Sequence, residues 1–85
     1  MTVNWSAVAN PATRDWIGLY RVGDPDTAFV TWVYDSSCTQ VAGNTAKSSG
    51  SCSFPMTVAG GNYEFRLFSN DGFTRLATSN AVTVG

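Results

Sequence analysis

Aromatic side chains are the groups best suited to chemistry in this chain: three Trp, three Tyr and five Phe among 85 residues, several of them spaced two apart. Trp16 and Tyr20 fall in DWIGLYR (residues 15–21), Trp32 and Tyr34 in AFVTWVY (28–34), and Phe68 ends NYEFRLF (62–68), where Glu64 and Arg66 also lie. Rings held in a row suit a β-linked glucan, whose apolar C–H faces stack on flat aromatics while amides and charged groups bond its hydroxyls. In that setting Arg66 offers a fork to two neighbouring oxygens. The plainer reading of Glu64 and Arg66 is a surface ion pair worth under about 1 kcal/mol.

Other chemistries are disfavoured by what the chain lacks. Histidine is absent and only two cysteines are present, which removes the commonest general base and cannot complete a zinc site. There is no Gly-rich phosphate cradle. A glycosidase needs two carboxylates across a cleft, and a flat sheet of this length offers no evident cleft. Neither catalytic residues nor a metal site are therefore expected. Asp24 and Asp26 in GDPD and Asp71 in NDG are hard oxygen donors of the kind calcium takes, although acids in such turns ordinarily just form the turn. Five Lys/Arg against six Asp/Glu leave a net charge of −1, without the basic surplus that nucleic acid requires.

The elements that must position these rings are strands. Val, Ile and Thr are abundant, turn residues recur about every ten residues, and no amphipathic helix pattern is present. Strand-like runs cover residues 2–6, 15–21 and 28–34, then a segment ending near 52–54, then 63–69, 73–78 and 81–84. Asn70-Asp71-Gly72 is a hairpin turn between the fifth and sixth runs. The spacing places Ile17, Leu19, Phe29, Val33, Tyr63, Phe65 and Leu67 inward. Trp16, Tyr20, Trp32, Tyr34 and Phe68 then point outward, with Glu64 and Arg66 beside them, in a platform several sugar units long. Trp5 alternates with polar neighbours and reads as core. Trp16 has a second placement as the buried Trp of an immunoglobulin-like sandwich, which would turn Ile17 and Leu19 outward, and Phe68 has one as cover for a sheet edge. The second and third runs are apolar on both faces, so something must cover the second face. The expected fold is a single all-β domain spanning residues 1–85, a sandwich of about seven short antiparallel strands, with a small barrel as the alternative.

Cys38 and Cys52 flank a stretch rich in Gly, Ser, Thr and Asn, and read as a disulfide of a secreted, extracellular protein. Two reduced core cysteines in a cytosolic domain are the other reading. No apolar run approaches the roughly 20 residues that span a bilayer, so no membrane partner is expected. Without a signal sequence, the chain reads as the mature portion of a longer exported protein.

The phrases NPATRDWIGLYRVG (10–23), FVTWVY (29–34) and NYEFRLFSNDGFTRLATSNAVTV (62–84) resemble small bacterial immunoglobulin-like modules appended to secreted polysaccharide-degrading enzymes. More distantly they resemble the SKICH domain and the N-terminal domain of purple acid phosphatases, which share a DW[IV]G motif. The resemblance implies a non-catalytic carbohydrate-binding module for plant cell wall β-glucans such as cellulose, xyloglucan or mixed-linkage glucan, fused to a glycoside hydrolase. A structural spacer or protein-interaction domain of a secreted protein is the second expectation, because the same fold carries unrelated duties.

Overall fold

The computed structural model describes residues 1–6, 8–55 and 58–84. Among them are seven strands: β1 (Thr2–Trp5), β2 (Trp16–Arg21), β3 (Thr31–Tyr34), β4 (Gly50–Ser53), β5 (Gly61–Phe68), β6 (Arg75–Thr78) and β7 (Val82–Val84). β1 and β4 form a two-stranded sheet, and the other five form a second sheet in the order β3-β2-β5-β6 with β7 also on β5. All pairings are antiparallel. The eight residues of β5 give its outer edge room for two short strands end to end, β7 on residues 61–63 and β6 on 66–68.

The two-residue period sorts side chains onto opposite faces of the large sheet. Ile17 and Leu19 of β2, Tyr63, Phe65 and Leu67 of β5, and Cys52 and Phe54 from the β4 segment form one buried cluster, with Val3, Trp5 and Val33 packed against it. This is the layer between the sheets. Fully burying an Ile or Leu here contributes about 1.5–3 kcal/mol. Trp5 is half-buried at its margin, with Nε1–H donating to the Lys47 carbonyl at 3.3 Å. The all-β sandwich expected from the sequence is therefore the observed architecture.

Most elements differ from the sequence reading at a boundary by one to three residues, and two of the differences bear on the outer face of the large sheet. β3 begins at Thr31, so Phe29 belongs to a loop and is 41% exposed instead of inward-facing core. That loop turns twice, with the Asp24 N–H donating to the Arg21 carbonyl at 3.1 Å and the Ala28 N–H to Pro25 at 2.9 Å. Pro25 has no N–H to extend a ladder. β6 begins at Arg75 because the hairpin turn is wider than a two-residue loop. Asn70 and Asp71 take φ of 45° and 60°, the paired left-handed conformation of a type I′ turn, and the Ser69 N–H donates across to Thr74 at 3.1 Å.

The disulfide Cys38–Cys52 is formed, with Cα atoms 5.4 Å apart. It fastens the turn after β3, at the edge of the large sheet, to β4 of the small one. Cys52 is part of the buried core, so the bridge crosses between layers. Since the crosslink closes a loop of sequence separation 14, its removal frees the unfolded chain. Replacing both cysteines by Ser is expected to lower the unfolding free energy by about 3 kcal/mol, read as an earlier urea midpoint with a steeper slope, because the unfolded chain without its crosslink exposes more surface.

Candidate functional site

The face of the large sheet turned away from β1 and β4 carries every residue that the sequence places outward. Register fixes the arrangement as a grid. Trp16 of β2 lies between Tyr34 of β3 and Phe68 of β5, Gly18 between Trp32 and Arg66, and Tyr20 pairs with Glu64. Trp16, Tyr20, Tyr34 and Phe68 form a buried cluster of their own, with Trp32 packed against it.

The expected open row of rings is corrected by this packing. Tyr20 and Phe68 are 0% exposed, and Trp16 and Tyr34 are also buried. Trp16 stacks on Phe68 at 4.4 Å and 25° and meets Phe73 edge-on at 5.6 Å. Gly18 makes the layer dense: a Cβ there would lie 2.5 Å from Tyr20 Cε1 and 2.9 Å from Trp16 Cζ3. The two rings lean over the gap that the glycine leaves. Trp16 is therefore buried, yet Ile17 and Leu19 stay inward, because β2 is covered on both faces.

Arg66 is 3% exposed, which removes it from the open surface. Its Nε donates to Glu64 at 2.6 Å, its Nη1 donates to Asp26 Oδ1 at 2.9 Å, and its guanidinium lies 4.2 Å over the Tyr20 ring. Asp26 also accepts from Arg75, and its carbonyl accepts the Tyr20 hydroxyl at 2.5 Å. These bonds hold the 22–30 loop down over the sheet. Burial, followed by the nearby Asp26 charge, pushes the Tyr20 phenol up to about 12.

What remains open lies at the other end of the grid. Trp16, Phe29, Trp32, Tyr34 and Asp71 line a pocket of about 200 Å³. The Asp71 carboxylate accepts the Tyr34 hydroxyl at 2.6 Å and Arg14 Nη1 at 3.1 Å. The hydrogen bond to Asp71, with burial adding to it, raises the Tyr34 pKa, and the same partner raises that of Arg14. Arg14 and Phe73 carry no role in the sequence reading, Phe29 is placed there as inward-facing core, and Asp71 only as a turn acid or calcium donor. Both phenylalanines follow closely on turn signals, GDPD and NDG, and an aromatic in that position is the cue that a loop will fold back onto a sheet. Of the acids considered for calcium, Asp26 faces two arginines and Asp71 faces one.

Behind the pocket, Asp15 anchors its loops. Oδ1 accepts the Asn70 N–H at 2.9 Å and Oδ2 accepts the Ala12 N–H at 3.0 Å. Asp35, which follows Tyr34, donates its backbone N–H to the Asp15 carbonyl at 2.9 Å. Its side chain is fully buried, and neither carboxylate oxygen has a hydrogen-bond partner among the described residues. Burial, then the neighbouring Asp15 charge, pushes the Asp35 carboxyl up to about 7.

Fold and face together define an all-β sandwich whose outer sheet face carries a loop-covered aromatic layer with an open pocket. In sequence, the chain is similar to a probable inactive purple acid phosphatase 9 of Arabidopsis thaliana, 37% identical over 71 residues, 80% of this chain and 10% of the plant protein. It is also similar to a phosphatidylethanolamine N-methyltransferase of Schizosaccharomyces japonicus, 62% identical over 29 residues, 34% of this chain and 3% of that protein. The chain thus spans a small part of each. No family model matches it, and no solved structure matches significantly.

Two outcomes follow from this packing. Gly18→Ala forces both rings off their positions and is expected to cost about 1–3 kcal/mol of stability, with a changed near-ultraviolet circular dichroism spectrum as the signature of displaced aromatics. Asp35 titrates near 3.8 when unfolded and near 7 when folded, so the folded chain binds the extra proton between those values. Its stability therefore falls as pH rises through that window, and the penalty is complete above it. Denaturation at pH 5 and pH 8 should differ by about 1–3 kcal/mol in favour of pH 5, and Asp35→Asn should bring that difference close to zero.

Proposed function

We propose that this domain is a non-catalytic carbohydrate-binding module of a secreted protein, holding an attached glycoside hydrolase against plant cell wall β-glucan. The observation that carries the reading is the pocket of Trp16, Phe29, Trp32 and Tyr34 with the Asp71 carboxylate at its rim. Apolar ring surface beside a hydrogen-bonding carboxylate and guanidinium is what a pyranose needs, C–H faces against the rings and hydroxyls against the polar pair. Trp32 and Phe29 supply the more accessible ring surface, while Tyr20, Phe68, Glu64 and Arg66 support the layer beneath. The action is tethering, which raises the local concentration of the attached enzyme at its substrate. The disulfide supports an exported protein. That the chain matches a tenth of a probable inactive purple acid phosphatase supports an accessory unit with no chemistry of its own.

The second reading, a structural spacer or protein-interaction domain, is favoured by a different feature. Between the sheets, on the side of β1 and β6, a groove of about 520 Å³ is lined by Val3, Trp5, Ile17, Phe65 and Leu76, of which Leu76 is exposed, Val3 and Trp5 are half-buried and the other two belong to the buried core. Apolar surface of that kind is found at protein contacts.

Titration with soluble xyloglucan or mixed-linkage glucan, followed by tryptophan fluorescence, separates the two. The carbohydrate reading expects a saturable change for the parent protein and binding about tenfold weaker or worse for Trp32→Ala, which loses its edge-on contacts with Trp16 and Tyr34 and should still unfold cooperatively through the intact inner core. A spectrum indifferent to a panel of β-glucans, together with self-association in sedimentation, would transfer support to the spacer.

A further inference from the structure

Building on the carbohydrate reading, we infer that the pocket takes one terminal sugar ring of a glycan chain, and not the flat face of a polymer running across the sheet. The angles between the rings carry this. Trp16 meets Phe29 at 76° and Trp32 at 72°, and Trp32 meets Tyr34 at 86°, with centroids 4.9–6.1 Å apart. A polymer face stacks on rings that share a plane, so that consecutive sugars rest on consecutive aromatics. Here the lining rings, Phe29 exposed, Trp32 half-buried and the edges of Trp16 and Tyr34, stand steeply to one another around a shallow hollow. The stacked pair on this face, Trp16 and Phe68 at 25°, has one member fully buried and offers no second sugar a surface.

Volume and polarity agree with the geometry. About 200 Å³ is below the 300–1,000 Å³ typical of sites for drug-sized ligands, which suits one ring better than a string of them. At the rim, Asp71 Oδ2 and Arg14 Nη1 lie 3.1 Å apart with both side chains half exposed, an acceptor and a donor side by side. Neighbouring hydroxyls of one sugar can each bond to this pair, donating to the carboxylate and accepting from the guanidinium. Internal sugars of a chain carry bulky substituents at both linkage positions. A terminal sugar has one end free to enter a walled pocket edge-on.

The test is calorimetric titration of the intact domain with glucose, cellobiose and cellohexaose, and with a cyclic β-glucan that has glucosyl rings and no termini. Occupation by a chain end expects affinities for cellobiose and cellohexaose within about threefold of each other, a gap under 0.7 kcal/mol, with no binding of the cyclic glucan. Asp71→Asn, which keeps a residue tolerant of the left-handed backbone at that turn, should weaken cellobiose binding by about tenfold or more. Affinity that climbs tenfold or more from cellobiose to cellohexaose, or a cyclic glucan bound as tightly as the linear one, overturns the chain-end inference while leaving sugar binding standing. Failure of every sugar to bind removes both.

Discussion

Strand β2 lies between two apolar layers, and only one of them is another sheet. Ile17 and Leu19 pack under β1 and β4, while Trp16 and Tyr20 point to the side where solvent would ordinarily be. A sheet that is buried on both faces needs a second cover. In a chain of 85 residues that cover is assembled from side chains: Phe68 and Arg66 from β5, Phe29 and Asp26 from the 22–30 loop, Phe73 and Asp71 from the β5–β6 hairpin. Gly18 is the residue that lets this happen, since the rings on either side of it close over its missing side chain.

A cover made of loops must be fastened, and here polar groups do it. Arg66 sits between Glu64 and Asp26 and against the Tyr20 ring, so a buried guanidinium is compensated by two carboxylates and an aromatic face. Taking one partner away would leave the remaining charge buried and unpaired, the costly case. Asp15 performs the corresponding task through backbone N–H groups, that of Asn70 in the hairpin and that of Ala12 in the segment before β2. The opposite situation holds at Asp35, where a buried carboxylate has been left beside another acid. The large sheet and its flanking turns therefore contain both well-compensated charge and a proton-dependent weakness, the latter next in sequence to the pocket-lining Tyr34.

Seen this way, the pocket is the unfinished edge of a packed layer. Its Trp16 wall is held from behind by the Phe68 ring, and its Tyr34 wall is held at the rim by the Asp71 carboxylate. Stiff walls of this kind favour binding by reducing the ordering cost on association.

Much of this was legible in the residues. Alternation in NYEFRLF and WIGLYR assigned Tyr63, Phe65, Leu67, Ile17 and Leu19 to one face and Trp16, Tyr20, Glu64, Arg66 and Phe68 to the other, because a strand's side-chain period is two whatever surrounds it. The N-D-G turn and the Cys38–Cys52 pair were likewise readable, being local backbone chemistry and a lone pair of thiols. Openness was not. Whether an outward ring meets water depends on what folds over it, and Phe29, Phe73, Asp26 and Asp71 reach that face only through loop paths set by long-range hydrogen bonds. The sequence alone thus determined which residues of one strand share a face. Tertiary structure decided which of them are covered, because burial belongs to the approach of distant segments and periodicity carries no information about it.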